Sequence, residues 1–506
     1  MKFSRKTKLN IWAVTIAVLL FCPSLLFAAD RVIESGEAKL IMEFNEGLNI
    51  ADGDSLRLVY TGSVADPSAL LRDTSGNPSY WGGSFWSNYA VMFVNPSGIT
   101  IGANANIQAA SFIASTLDIT NDNFLHPEKY SNSYIFSKWI DKAGKSVINK
   151  GYIKVRESGQ VVLLGSAAAN SGTIETTLGL VVLAAGEKIT LGLDSVGMIS
   201  VVINDAVKEE IFDSNGNKLT SAVENSGTII ANGGKVVLAA KVLNKVFDYA
   251  VNNSGVIEAK SLVNHKGVVE LVGEGDVAIK SVINTGSIIA SGTTENPNAG
   301  SITISAPSIL QQGIIAANAE EAGTAGAIDI VSQDSTDVDT GSSTQARAMG
   351  IIGNGGRIRI DSTRGSTYVN KGAIIDVSAG SGSGNAGSLD VGAFEQLGFY
   401  GLLNARAPPG YNPATITFTY HSSSAPTVTI TTDQEDYSPS GKPIISGSGF
   451  LPNQEITLNI VDPNGTQTTL NVVSDASGSF TYIYSPDSLM GGAYFVTGTD
   501  GSRSAV

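Results

Sequence analysis

Cysteine is almost missing from this sequence: Cys22 is the only one in 506 residues, and it lies in an apolar N-terminal segment. Beyond that segment neither a disulfide framework nor a thiolate metal site can be built. Histidine is nearly as scarce. His126, His265 and His421 stand far apart, so no His-Glu-x-x-His metal motif exists, and no glycine-rich phosphate loop ending in Gly-Lys-Ser/Thr occurs either. Positive charge is short as well, with 32 Lys and Arg against 46 Asp and Glu. The formal net charge is −14, and the N-terminal stretch 1–29 holds four bases (Lys2, Arg5, Lys6, Lys8) and no acid, so the remainder carries −18. Nucleic acids and anionic membranes are thereby excluded as partners, because the dominant energy term would be repulsive. No long hydrophobic run is present. Ile11 to Phe27 offers about 17 residues broken by Pro23, against the roughly 20 that span a bilayer.

That short apolar segment has another use. MKFSRKTKLN is basic, IWAVTIAVLLF is apolar, and Leu26-Phe27-Ala28 offers a small-residue cleavage point near Ala28 or Ala29, so residues 1–29 read as a secretory signal. Cys22 follows Phe21, which suits a lipoprotein processing site poorly. The expected product is exported and free of cysteine, and its stability must come from packing.

Glycine is abundant, 56 of 506, and Asn, Ser, Thr, Val and Ile are frequent, which describes many strands joined by tight turns. An Asn-x-Gly-x-Ile motif recurs at Asn149, Asn170, Asn225, Asn253, Asn284 and Asn370. A second motif, Gly-x-(Val/Ile/Leu)-x-(Leu/Ile/Val), starts at Gly159, Gly179, Gly234, Gly300, Gly326, Gly356 and Gly387. The spacings between successive Asn copies begin at 21, 55, 28 and 31 residues, irregular but centred in the twenties, which suggests a coil of that length with one degenerate copy skipped. A short strand with alternating inward residues cannot bury its apolar face alone, whereas coils stacked about 4.8 Å apart pile those residues into one continuous core. The expected fold is all-β: a right-handed parallel β-helix followed by a small β-sandwich. Asn suits the coil corners, because it tolerates left-handed backbone and its amide both donates and accepts along a stack.

The domain boundaries expected are a signal over 1–29, a secretion domain over 30–202, β-helix repeats over 203–407, a linker over 408–425 and a sandwich over 426–506. The less repetitive stretch Asp30 to Lys145, which includes the aromatic YWGGSFW of Tyr80 to Trp86, is expected to cap the open end of the helix. NARAPPGYNP and YHSSSAPT read as the linker, and turn signals every eight to twelve residues beyond it suit a sandwich.

FVNPSGITIGANANIQAASFIASTLDITNDNF, Phe93 to Phe124, alternates like short strands with turns. Its NPSGI (Asn95, Pro96, Ser97, Gly98, Ile99), TIGANA and ASTLDITNDNF, together with LLRDTSGNPS upstream and LVVLAAGEKITL downstream, resemble the secretion domain of two-partner secretion exoproteins, the filamentous haemagglutinin and haemolysin/haem-utilisation family. The likeness runs from about Glu37 to Val202. Ser97 stands where the family carries a second Asn, and Asp73 where it prefers an apolar residue. The resemblance implies a partner, an outer-membrane barrel whose POTRA domains recognise the domain in the periplasm, after which the chain crosses unfolded and winds up outside. Asn95 to Ile99 either contact that partner or shape a coil corner, since Asn-Pro-Ser-Gly is a good turn on any protein. The C-terminal module resembles bacterial Ig-like domains, in TTDQEDYSPSGKPIISGSGFLPNQEITL, and ends where a final strand is expected.

No catalytic constellation emerges, and no cofactor or metal is expected. Asp334, Asp337 and Asp339 could hold a cation but read better as a solvated loop, as does the Asp433 to Asp436 run. The expectation is a non-enzymatic, monomeric, secreted or cell-surface adhesin whose receptor or glycan the sequence does not reveal. The alternatives are a haem-utilisation or toxin-carrier exoprotein and a β-helix enzyme acting on polysaccharide.

Overall fold

The computed structural model describes residues 7–11, 18–20, 30–139, 142–193, 199–213, 216–243, 245–275, 281–421, 428–432, 441–462, 466–486, 494–500 and 504–505. The chain divides into two compact units, Met1–His421 and Ser422–Val506. Apart from Thr7–Ile11 and Val18–Leu20, the segment expected to be an export signal lies outside the described residues.

The first unit is a parallel β-helix with three faces, here called A, B and C in the order in which each coil visits them. One coil runs through Ile99–Ile101 on face A, Asn106–Ala109 on face B and Ser111–Ser115 on face C. The next runs through Ser146–Asn149, Tyr152–Val155 and Gln160–Gly165, each strand parallel to its counterpart and in register with it. The two sequence motifs mark positions on this path. Asn-x-Gly-x-Ile spans the corner from A to B, and the glycine-led apolar motif opens face C. Every second side chain points inward, so Ile153, Ile174, Ile229, Ile257, Ile288 and Ile315 form one row of a single continuous core. Ser301–Gln311 and Ala327–Val338 run from face C into face A of the next coil without a break, which joins those two ladders into one sheet.

Glycine at the A–B corner answers to close approach. A Cβ on Gly227 would lie 2.1 Å from the carbonyl oxygen of Gly172, and Cβ atoms on Gly172, Gly255, Gly286 and Gly313 would meet the carbonyl of the preceding corner at 2.0 to 2.1 Å. Only a residue without a side chain lets successive corners stack at this distance.

Three boundaries differ from those expected. The long interval between Asn170 and Asn225 skips no coil, because Ala168–Asn170 pair directly with Val223–Asn225. The surplus is an excursion over 186–220 that leaves face C and returns. Secondly, the stretch from Asp30 is not a cap but stacked coils, since Asp30–Ser35 and Lys39–Phe44 pair in parallel with Ser55–Tyr60 and Ser68–Asp73. Its aromatic residues split by side: Trp81 and Phe85 enter the core, where Trp81 stacks on Phe93 with ring centroids 4.4 Å apart, while Tyr80 and Trp86 face outward. Thirdly, the expected linker contains a ladder strand, because Thr415–Tyr420 pairs in parallel with Ser388–Ala393.

The excursion meets a second one, over 116–145. Ser133–Ser137 pairs antiparallel with Lys188–Leu193, which pairs antiparallel with Ile199–Asp205. This small sheet and the short helix Asn121–Leu125 lie against the outside of face C, where Ile41, Leu70, Met92, Val94, Ile113, Val162, Leu164, Val182 and Ala184 form a second apolar core with Leu117, Ile119, Phe124, Phe136, Ile189 and Leu191. Strand Leu180–Ala185 is consequently buried on both sides, which explains its unbroken apolar sequence.

The second unit comprises two antiparallel sheets. Thr429–Thr432, Ile444–Ser448 and Phe480–Ile483 form one; Gln467–Val473, Glu455–Val461, Phe495–Thr499 and Ser504–Ala505 form the other. Ile445 and Phe480 from the first sheet share a core with Ile456, Leu458 and Ile460 from the second, as in a sandwich.

Candidate functional site: the junction of the secretion motifs

The separate motif stretches converge on one place, where the outside of face C meets the covering sheet. Arg72 is the charged residue in the outward row Ser68, Leu70 and Arg72 of strand Ser68–Asp73, and it is 6% exposed. Its Nε donates to Asp118 Oδ1 at 2.9 Å, Nη1 to Glu43 Oε1 at 3.0 Å and Asn121 Oδ1 at 2.8 Å, and Nη2 to the Ile119 carbonyl at 2.5 Å. The guanidinium thus rivets the coil to the excursion through two acids, an amide and a main-chain oxygen, which suits its planar fork of donors.

The STLDITNDNF stretch supplies the other half, and most of its side chains have an identifiable job. Ser115 Oγ donates to the Leu117 carbonyl and accepts from the Leu117 N–H, turning the chain off face C. Leu117, Ile119 and Phe124 enter the second core. Asp118 receives Arg72 on one oxygen and the Trp139 indole N–H, at 3.0 Å, on the other. Thr120 caps the helix by accepting from the Asn123 N–H. Asn123 then donates to the Ser133 carbonyl and accepts from the Ile135 N–H, fixing the first strand of the covering sheet. Lys39 lies 5.0 Å from the centroid of the Phe124 ring, and burial holds its ammonium below the usual lysine range, against the opposing pull of Glu128.

Asp73 and Asn95 form a second cluster one strand further on. Asp73 is 1% exposed, and its Oδ2 accepts from the Leu48 N–H and Ser79 Oγ while Oδ1 accepts from the Ser75 N–H and hydroxyl. Asn95 donates to Ser79 Oγ at 2.8 Å and to the Asn77 carbonyl at 2.9 Å, and accepts from the Ser97 N–H at 2.8 Å. Gly98 takes φ 119° and its carbonyl receives the Ser79 N–H. Asp73 departs from the family's apolar preference at no cost in unpaired charge, because four donors surround it. Ser97 contributes its backbone N–H to the turn, a bond that any residue but proline makes.

Asn95, Pro96 and Ile99 are buried, while Ser97 and Gly98 are half-buried. Three of the five motif residues therefore sit beyond the reach of a partner docking on the folded surface, and the corner role of Asn95 is the one the geometry displays.

Asn149, Asn170, Asn225, Asn253 and Asn284 stack into a ladder inside the A–B corner, each Nδ2 donating to the next Oδ1 at 2.7–2.8 Å. Gln311 ends the ladder, accepting from Asn284 and donating to the Gly313 carbonyl. Asn370 is outside it. The ladder position in its coil belongs to Val369, which pairs in register with Val338, and Asn370 lies one residue further on. Gln311 escapes the sequence pattern because it breaks the Asn motif; its place one coil length after Asn284, just ahead of a glycine corner, is the signal that could have found it.

The other candidates do not assemble. His126 contacts Glu128, His265 the Val263 carbonyl and His421 Asp361. Asp334 lies near Arg364, and Asp339 accepts from Gln312. Among the described residues no group of three or more His, Cys, Asp or Glu is placed to hold a metal. The Asp433 to Asp436 run lies outside the described residues.

Against known proteins, the family model described as the TPS secretion domain matches residues 65–290. That match covers a little under half of the chain. Its matched region contains Arg72, Asp118 and Asn95, both excursions and the whole Asn part of the corner ladder. A curated relative, the heme/hemopexin-binding protein of Haemophilus influenzae, is 31% identical over 211 residues, covering 41% of this chain and 21% of that protein, so the match spans about a fifth of the relative's length. The crystal structure of the HMW1 secretion domain from Haemophilus influenzae superposes with a TM-score of 0.55 at 21% identity, covering 75% of this chain and 95% of that one, a likeness of fold.

Proposed function

We propose that this chain is a two-partner secretion exoprotein, carried across the outer membrane by a dedicated POTRA-bearing barrel and acting outside the cell as a non-enzymatic adhesin. The observation that carries the reading is the match of residues 65–290 to the TPS secretion domain, together with the convergence of its motif residues on Arg72 and Asn95. The fold suits this route, because coils stacked one on the next can form in sequence as a chain emerges. No disulfide stands in the way, since Cys22 is the only cysteine. The C-terminal sandwich is read as an Ig-like spacer or adhesive module.

Burial of Asn95, Pro96 and Ile99 leads to a specific form of recognition: the barrel's POTRA domains read the motif before it folds, and folding then hides it. Purified POTRA domains from a cognate two-partner secretion barrel should capture the full chain freshly diluted from urea and ignore it once refolded. Equal capture of both forms would sink this version of the proposal.

The heme/hemopexin-binding relative favours a second reading, haem acquisition. Pull-down of haem-loaded hemopexin by the full chain supports it, and its failure leaves the adhesin reading in place.

A further inference from the structure

A cleft of about 680 Å³ opens beside the last coils of the β-helix, outside the region matched by the TPS family, so it is independent of the export reading. Its chemistry is set by register. Gln345, Asp376 and Asn404 are equivalent positions ending three successive face-B strands, and two residues further on come Arg347, Ser378 and Arg406. The order along the stack is therefore cation, anion with hydroxyl, cation, in steps of one rung, and the two arginine positions lie two rungs or about 9.6 Å apart. In an acidic chain this is a local reversal of charge.

The groups are held but not saturated. The carbonyl of Ser378 accepts the N–H of Ala348, and the carbonyl of Arg406 that of Ala379, which fixes the three rungs on one another. Arg347 Nε is enclosed, makes no hydrogen bond among the described residues, and lies 3.7 Å from Asp376 Oδ2. Asp376 accepts the Ser378 N–H on Oδ1. Beside them Met349 and Ile351, 53% and 62% exposed, form an apolar lip on a glycine-rich turn that also exposes Ile352.

We propose that this cleft binds an unbranched acidic oligosaccharide bearing a carboxylate on alternate rings. A pyranose advances a glycan by about the same distance as one rung. Two carboxylates would meet the two guanidiniums, and the neutral ring between them would present hydroxyls to Asp376 and Ser378 and an apolar face to the lip. A sulfated or polyphosphate chain, or an acidic peptide, would bring charge against Asp376, and a neutral glycan would leave both arginines unanswered.

The test is calorimetric titration of the full chain with a hyaluronan hexasaccharide, with oligogalacturonate and with a neutral dextran oligomer. The expected result is one site per chain for hyaluronan, weaker binding of oligogalacturonate and none of dextran. Arg347→Gln and Arg406→Gln should each weaken hyaluronan binding by about tenfold to a hundredfold, with melting temperature unchanged, as for loss of a charge-assisted hydrogen bond. Lys371→Gln should leave it unaltered. Asp376→Asn keeps the acceptor for Ser378 and should narrow the preference over oligogalacturonate. Failure of hyaluronan to bind, binding unchanged in the double arginine variant, or dextran or oligogalacturonate binding as tightly as hyaluronan would overturn the proposal.

Discussion

Arg72 concentrates the account at the scale of single residues, since one guanidinium joins a coil to the structure that covers it. Arg72→Leu leaves Asp118 and Glu43 facing each other without a cation, and removal of one partner from such a pair costs about 3 kcal/mol. Urea unfolding should show that loss, and near-ultraviolet circular dichroism should report a changed Trp139. The corner ladder allows a paired comparison. Asn225→Leu strands the Asn170 donor and the Asn253 acceptor and should cost roughly 1–3 kcal/mol for each. Asn370→Leu should stay within about 0.5 kcal/mol, as at a surface position. Both residues open the same five-letter motif, and sequence could not separate them because only register distinguishes a ladder position from its neighbour. Glu224 lies beside the ladder, and burial raises its pKa above the ordinary carboxylate range. A raised pKa in the folded state means that stability present below the ordinary carboxylate range is lost as pH climbs through the raised value. Glu224→Gln should therefore raise the melting temperature at pH 7 and change it little near pH 3.

At the scale of elements, the parallel coils were legible in the sequence and the covering sheet was not. The coils from Asn149 to Asn284 repeat two motifs whose glycine and asparagine occupy fixed corners, so local pattern and global fold agree there. The excursions over 116–145 and 186–220 follow no period, and Ser133–Ser137 finds its partner, Lys188–Leu193, across the fold rather than beside it in sequence. One trace existed: LVVLAA is apolar at every position, so both sides of that strand needed cover. Phe136, fully buried between the covering sheet and face C, tests the element directly. Phe136→Ala should cost about 3–5 kcal/mol, and binding of a hydrophobic dye should rise as the outer surface of face C becomes accessible. The corner glycines make the opposite kind of test. Gly227→Ala sets a methyl group 2.1 Å from a carbonyl oxygen that belongs to the adjoining coil and cannot swing away, so the two corners must separate. The loss should exceed that of Gly216→Ala in stability measurements, because nothing lies within 4 Å of a Cβ at Gly216, where the cost is only that of its φ of 81°.

For the whole molecule, the fold and the function meet in the order of events. A chain with one cysteine, an acidic surface and coils that stack in sequence is suited to crossing a membrane unfolded and assembling on the far side. Asn95, Pro96 and Ile99 are buried once that assembly is complete, so under the proposed reading the address and the fold would use the same side chains at different times. The family resemblance was readable from NPSGI and STLDITNDNF, but the reason for those letters was not, because Arg72 and Asn95 find their partners only through stacking. The central claim is export by a dedicated barrel, and the most direct measurement is the fraction of full-length chain released into the medium by a Gram-negative host that expresses a cognate POTRA-bearing barrel. The account predicts release that requires the barrel and falls sharply when residues 65–290 are deleted. Release that is equal with and without the barrel, or that survives the deletion, contradicts it.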